Sequence, residues 1–205
     1  MRKIWILFLG TVLFWSAAAS AQTAGDIAKI EDYLNNIKTL QASFVQTASN
    51  GNTSEGKLYI AKPNKLRMEY NPPISVLIVG DGNYIIYNDK ELDQVTHIDY
   101  DDIPASLILA NDVKIDGKKI KVTDFYKDSG TTEIVLEYKE KDGVGPITLV
   151  FSNNPFELKQ WKVVDPQSVE ITVSLYNAET DTALDSSLFK FKNNKNSRSF
   201  TAPRR

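Results

Sequence analysis

The chain has no cysteine and one histidine, His97, in 205 residues. The first absence excludes disulfides, so an exported fold of this chain would rest on its apolar core alone. Together the two absences leave too few ligands for a zinc site, and no cofactor or metal is expected. Glycine is scarce, at 10 residues, and no phosphate-cradling loop is present. Gly143-Val144-Gly145-Pro146 carries Pro and lacks the third Gly of a dinucleotide motif, so it reads as a turn. No serine sits in a Gly-x-Ser-x-Gly elbow. Basic charge is not in excess: 24 Lys and Arg face 26 Asp and Glu, a net charge of −2, which excludes a nucleic-acid footprint. The local carboxylate cluster Asp99, Asp101 and Asp102 adjoins a helix start and reads as capping. These exclusions remove the usual enzymes and point to a binding protein.

The N-terminus carries an address. Met1, Arg2 and Lys3 form a short positive segment, residues 4–15 are almost wholly apolar, and Ala19-Ser20-Ala21 fits a small-x-small cleavage site. This is a secretory signal peptide over residues 1–21, with cleavage before Gln22. A run of about a dozen residues is too short to span a bilayer, which takes about 20. With no cysteine at the cleavage site, a free, soluble periplasmic protein is expected. Residues 22–205 then form one domain, large enough for a sizeable core. Losing Arg2 and Lys3 takes the net charge to −4, unevenly spread. Lys190, Lys192, Lys195, Arg198, Arg204 and Arg205 make the last stretch wholly basic. It reads as a solvated end, with contact to an acidic partner or anionic surface as the alternative.

Between the ends, periodicity predicts one long helix and many strands. Ile27, Ile30, Leu34, Ile37 and Leu40 fall on one stripe of a helix over residues 24–40, with Thr23 and Asp26 as its start signal. Strands are predicted at 41–49, 56–62, 66–70, 74–79, 84–87, 92–96, 113–125, 132–139, 146–152, 158–164 and 169–176. Turn residues such as Asn50-Gly51-Asn52 and Asn71-Pro72-Pro73 separate them. Val169, Ile171, Val173 and Leu175 alternate with Glu170, Thr172 and Ser174, the pattern of an antiparallel sheet with one wet face. Residues 101–110 break the series as a short helix apolar on more than one side, suited to plugging a concavity. The predicted class is α+β, mainly β: an unclosed antiparallel β-barrel of about eleven strands capped by helices.

The order of several elements resembles a known family. Leu40-Gln41-Ala42-Ser43-Phe44-Val45-Gln46 is followed by Gly56-x-Leu58, Lys62-Pro63-Asn64, Tyr70-x-x-Pro73, Asp81-Gly82 and Tyr87-Asn88. The Pro-led segment 104–110, Trp161-x-Val163-x-Asp165 and Leu184-x-x-x-Leu188-Phe189-x-Phe191 complete the series. The pattern is similar to that of the LolA family of periplasmic lipoprotein carriers and covers nearly the whole mature chain. The resemblance implies an apolar cavity that holds the acyl chains of lipoproteins. It implies loading by an ATP-driven inner-membrane transporter and delivery to a LolB-like outer-membrane receptor, by a monomer without cofactors. One departure stands out. Family members commonly carry Arg, linked to lid closure, where this chain has Lys62, and Lys lacks the planar fork.

Strand parity gives the candidate site. Leu58, Ile60 and Lys62 share a face, which would put Lys62 on the rim of the hollow as a latch that bonds helix carbonyls. Leu66, Met68 and Tyr70 share a face, as do Val76 and Ile78. These seven apolar and aromatic residues are the candidate acyl-chain cavity. Ile30, Leu34 and Ile37 of the first helix, with Ile103, Leu107 and Ile108, are the candidate lid, expected to fill the concavity when no cargo is bound. A periplasmic lipoprotein-sensing regulator on the same half-barrel and a hydrolase of lipid-like substrates are the alternatives.

Overall fold

A computed structural model describes residues 16–115, 117–141, 143–165, 167–192 and 198–199. Helix α1 spans Ser16–Asn36 and helix α2 Ser106–Leu109, with 3-10 turns at Tyr100–Asp102 and Ser186–Phe189. The strands are β1 Thr39–Ala48, β2 Thr53–Ala61, β3 Lys65–Tyr70, β4 Val76–Asp81, β5 Ile85–Asp89, β6 Gln94–Ile98, β7 Ile120–Lys127, β8 Thr131–Tyr138, β9 Ile147–Asn153, β10 Phe156–Val164, β11 Glu170–Thr180 and β12 Arg198–Ser199. They form one sheet in the order β12-β6-β5-β4-β3-β2-β1-β11-β10-β9-β8-β7. β1 lies between β2 and β11, so the first strand joins the two halves of the chain. Eleven strands run antiparallel, and the two-residue β12 adds a parallel pairing to β6. β7 is the other edge, and the barrel stays open.

The sheet curls because its strands are irregular in the right places. Register shifts at Gln41/Ser43, Val122/Asp124 and Leu158/Gln160 bend β1, β7 and β10, and such bulges raise local twist. Alternation then sends one face inward. Leu40, Ala42 and Phe44 of β1, Ile134 and Leu136 of β8, and Ile147, Leu149 and Phe151 of β9 are all buried in one core. β4 is apolar on both sides for a separate reason. Val79, Ile86, Val95 and Phe189 are buried outside that core. They belong to the convex side, where the Ser186–Phe189 turn packs on β3 and β4. Arg67 pins this strap: its guanidinium donates to the Leu188 carbonyl at 2.9 Å and pairs with Glu69.

Several boundaries differ from expectation. The first helix ends at Asn36, and β1 begins at Thr39, so Leu40 is a strand residue and Ile37 lies just past the helix. Leu40 still points into the core, which is how a strand residue came to complete a helical stripe. The helix runs through Thr23, which is therefore no cap. Asp99 stands before the 3-10 turn without a side-chain capping bond. Residues 113–115 and 117–119 are not strand; β7 starts at Ile120. Residues 1–15 of the expected signal segment lie outside the described residues, as do Lys195, Arg204 and Arg205 of the basic tail; the predicted cleavage position falls within α1. No helix among the described residues is long and apolar enough to cross a membrane.

Gly56 is fixed by close approach. It pairs with Phe44 on one side and Tyr70 on the other, and those two rings meet edge to face across it at 5.1 Å. A Cβ there would sit 1.9 Å from the Glu69 carbonyl oxygen and 2.9 Å from the Phe44 ring. Gly56→Ala is expected to cost about 3 kcal/mol by overpacking, read as a lower denaturant midpoint. A midpoint within error of wild type would refute this account of the Phe44–Gly56–Tyr70 ladder.

Candidate functional site

Helix α1 brings its apolar stripe to the concave face. Ile30 and Leu34 are fully buried, and Ile27, Tyr33 and Ile37 pack against the same core. The Tyr33 ring meets Phe151 and Phe156 edge to face at 5.6 and 5.8 Å, and the Lys29 ammonium lies 4.2 Å over the Phe156 ring. At its middle the helix is tied by an ion pair between Asp26 and Lys127 at 2.6 Å. The space left between α1 and the sheet is only about 20 Å³, walled by Leu34, Ile37, Leu40, Ile60 and Lys62 among others.

The end of α1 is held by polar bonds. The last carbonyls of a helix have no intrahelical donor, and their partial negative charge favours cations. Here the Lys62 ammonium, from the end of β2, donates to the Leu34 carbonyl at 2.5 Å, and Lys38 donates to that of Asn35 at 2.9 Å. Burial, with a smaller contribution from the positive charge of Lys38, pulls the Lys62 pKa down to about 8. On the opposite side, the Asn35 amide clasps the Val113 backbone. It donates to the Val113 carbonyl at 3.0 Å and accepts from its N–H at 2.7 Å. One turn earlier, Glu31 accepts from the Ile115 N–H at 2.5 Å. α1 therefore fastens the segment that leaves α2.

The residues 100–110 form the second cover. Leu107, Ile108 and Leu109 are all buried. The segment is tied at both ends to the β2–β3 turn: Tyr100 donates its hydroxyl to the Asn64 carbonyl, and the Asn64 N–H donates to the Leu109 carbonyl at 3.0 Å. Tyr100 also accepts from the Gly82 N–H at 3.2 Å, and Asp101 pairs with Lys141 at 2.8 Å.

Beneath this cover lies an apolar cavity of about 230 Å³. Ile60, Leu66, Met68, Tyr70 and Ile78 line it from β2, β3 and β4; Ile103, Ile108 and Leu109 line it from the cover; Trp161, Val163, Ile171 and Val173 line it from β10 and β11. Two of the seven candidate cavity residues are absent from the lining. Leu58 has no exposure and is spent in the core, and Val76 lies toward the outer end of β4, opposite Asp89. Of the six candidate lid residues, Ile103 and Ile108 line the cavity; Leu34 and Ile37 wall the small void under α1, Ile30 is buried in the core, and Leu107 is buried but turns to the other side of α2. Polar groups mark one side of the cavity, where the Tyr70 hydroxyl donates to Gln46 at 2.7 Å and burial pushes that phenol's pKa up.

Comparison with known proteins decides the family. The family model described as outer membrane lipoprotein carrier protein LolA matches residues 35–192. The chain belongs to the LolA family. It is 31% identical over 162 residues to an outer-membrane lipoprotein carrier protein of Chromobacterium violaceum, covering 75% of this chain and 77% of that one. It is 30% identical over 179 residues to a protein of the same name from Dechloromonas aromatica, covering 82% and 84%. An uncharacterized protein of Rickettsia prowazekii is 26% identical over 195 residues, covering 94% and 89%. Among solved structures, an uncharacterized conserved protein of Thermus thermophilus shares the fold at TM-score 0.51 and 11% identity, over 88% of this chain and all of that one.

The LolA-type arrangement contains residues that periodicity could not supply. Glu31 and Asn35 are four apart on α1, but their target is a backbone far along the chain. The β10–β11 wall, with Trp161 and Val173, reads in sequence as an ordinary strand pair. Lys62 gives the site a pH dependence. Its folded pKa of about 8 lies below the unfolded value of 10.5, so between these values the unfolded chain holds more protons and stability rises with pH. Relative to Lys62→Met, which cannot titrate, the wild type is expected to gain stability as pH goes from 8 to 10.5 and to lose that gain as pH falls through 8. Paired denaturant titrations at about pH 7 and pH 10, on either side of most of that window, measure it. A pH-independent difference would count against a buried amine.

Proposed function

We propose that this chain is a periplasmic carrier that takes the acyl chains of lipoproteins into the cavity beneath residues 103–109. It would receive them from an ATP-driven inner-membrane transporter and yield them to an outer-membrane receptor of the LolB type. The observation that carries this reading is the cavity itself. Its wall is apolar, and one side of it is a short segment held by a few hydrogen bonds. Membership of the LolA family and the names of the carriers from Chromobacterium and Dechloromonas support the same cargo.

Magnitudes favour a cover that moves. Burial of a methylene is worth about 0.8 kcal/mol, so one long acyl chain gains roughly ten. The cavity of about 230 Å³ is smaller than ordinary small-molecule pockets, at about 300–1,000 Å³. A cargo with several chains therefore requires α1 or α2 to give way. The cost of displacing them offsets part of the gain from burying the tails, which keeps release feasible. The mechanism involves no bond making: the chain binds, shields and hands over.

Ile78→Trp would fill the cavity from β4 while leaving the α1 contacts in place. In a mixture of purified protein with lipoprotein-loaded inner-membrane vesicles and the energised transporter, the wild type is expected to carry unmodified lipoprotein into solution. The variant should do so at about a tenth of that yield or less, with a thermal midpoint close to wild type. Full transfer by the filled variant would rule out this cavity as the acyl site, and covalent change of the released lipoprotein would rule out a simple carrier.

A further inference from the structure

α2 separates two spaces. Ile108 and Leu109 face the apolar cavity, whereas Leu107 and Ala110 face a second pocket of about 360 Å³, and Ser106 lines both. The Ser106 hydroxyl lies 3.4 Å from that of Tyr138, so the first turn of α2 is where the two spaces meet. The second pocket has a different chemistry. Asn64, Lys119 and Tyr138 offer neutral or cationic donors in its wall, and Asp101, Asp112 and Glu140 bring three carboxylates. The remaining cation, Lys141, is already engaged: it pairs with Asp101 at 2.8 Å, donates to the Asp101 carbonyl at 3.1 Å and lies 5.2 Å over the Tyr138 ring.

An apolar cavity cannot tell the tails of a lipoprotein from those of a phospholipid, because the tails are alike. Discrimination has to come from the groups that join them. In a lipoprotein this neck is uncharged: glyceryl esters, a thioether and the first peptide amides. In a phospholipid it is a phosphodiester anion. A pocket of hydrogen-bond donors with more carboxylates than cations suits the first and repels the second.

We propose that the pocket behind α2 is the subsite for the uncharged glyceryl–peptide neck of the acylated cargo, and that its carboxylates turn away phospholipids whose tails would fit the adjoining cavity. This rests on the carrier reading above and adds the source of its selectivity. Asp112 and Glu140 are exposed at the pocket wall, so neutralising them leaves the core untouched.

The test uses the whole chain and two probes, a synthetic triacylated cysteinyl peptide with neutral residues and an amidated end, and dipalmitoyl phosphatidylglycerol. Wild type should capture the lipopeptide at least about tenfold better than the phospholipid. Asp112→Asn with Glu140→Gln should raise phospholipid capture about fivefold, less at high salt, and leave lipopeptide capture within about twofold. A diazirine on the residue after the lipidated cysteine should label wild type at residues 110–112 or 138–141. Unchanged selectivity in the double variant, or labelling confined to other surfaces, would overturn the neck subsite while the carrier stands. Capture of neither probe by wild type would remove the carrier reading with it.

Discussion

Everything in this molecule answers to one constraint: a long sheet curls without closing, and its concave face is too apolar to stay wet. In a closed barrel the strands would bury one another's side chains. Here β7 and β12 end the sheet on opposite sides, so the lining must be covered by the rest of the chain. α1 does this over β2, β10 and β11, and the segment around α2 does it beside them. The cover is thus part of the core.

The bonds that hold the cover are few and sit at its ends. Lys62 to Leu34, Asn35 to Val113, Glu31 to Ile115 and Asn64 to Leu109 all end on backbone groups that neither helix nor sheet would satisfy. A neutral hydrogen bond contributes about 0.5–1.5 kcal/mol net and one to a charged group such as Lys62 or Glu31 about 1.5–3, and leaving the buried partner unmet costs more. Such tethers hold the cover when the hollow is empty. On the proposed function, one long acyl chain would outweigh them, at roughly ten kcal/mol of buried methylenes. Asn35 matters beyond its own bond, because it couples α1 to the residues that follow α2. Displacing one cover loosens the grip on the other.

Much of this was legible in the sequence, for reasons of periodicity. Each of the eleven long strands overlaps an expected one, because each strand buries one face, although β7 starts well inside the expected 113–125. Helix α1 was legible through Ile30 and Leu34, but its end was not. Leu40 continues the apolar stripe from a strand, and apolar spacing alone cannot show where the backbone changes. The face containing Ile60, Leu66, Met68 and Ile78 follows from strand parity. Leu58 shares that parity and is sealed in the core, since depth is a tertiary property. The far wall from β10 and β11 was beyond local reading, because the β1–β11 pairing joins residues more than a hundred positions apart. The convex mini-core of Val79, Val95 and Phe189 shows a further limit of local reading: the apolar residues on the second side of β4 serve a strap and not the hollow.

Lys62, where the family resemblance implies Arg, has a structural counterpart in the next segment. A guanidinium has five donors in a planar fork and could cap two adjacent carbonyls at a helix end. The Lys62 amine reaches Leu34, and the neighbouring Asn35 carbonyl is taken by Lys38. Two lysines from different segments thus divide a task that one arginine could perform. The arrangement carries its own electrostatic cost, since each amine raises the energy of the other's charge, and Lys62 is the more buried of the two. A cation that is costly to bury is easier to return to water than a fully bonded guanidinium. On the proposed carrier reading, an amine at this position would make the closed cover easier to open.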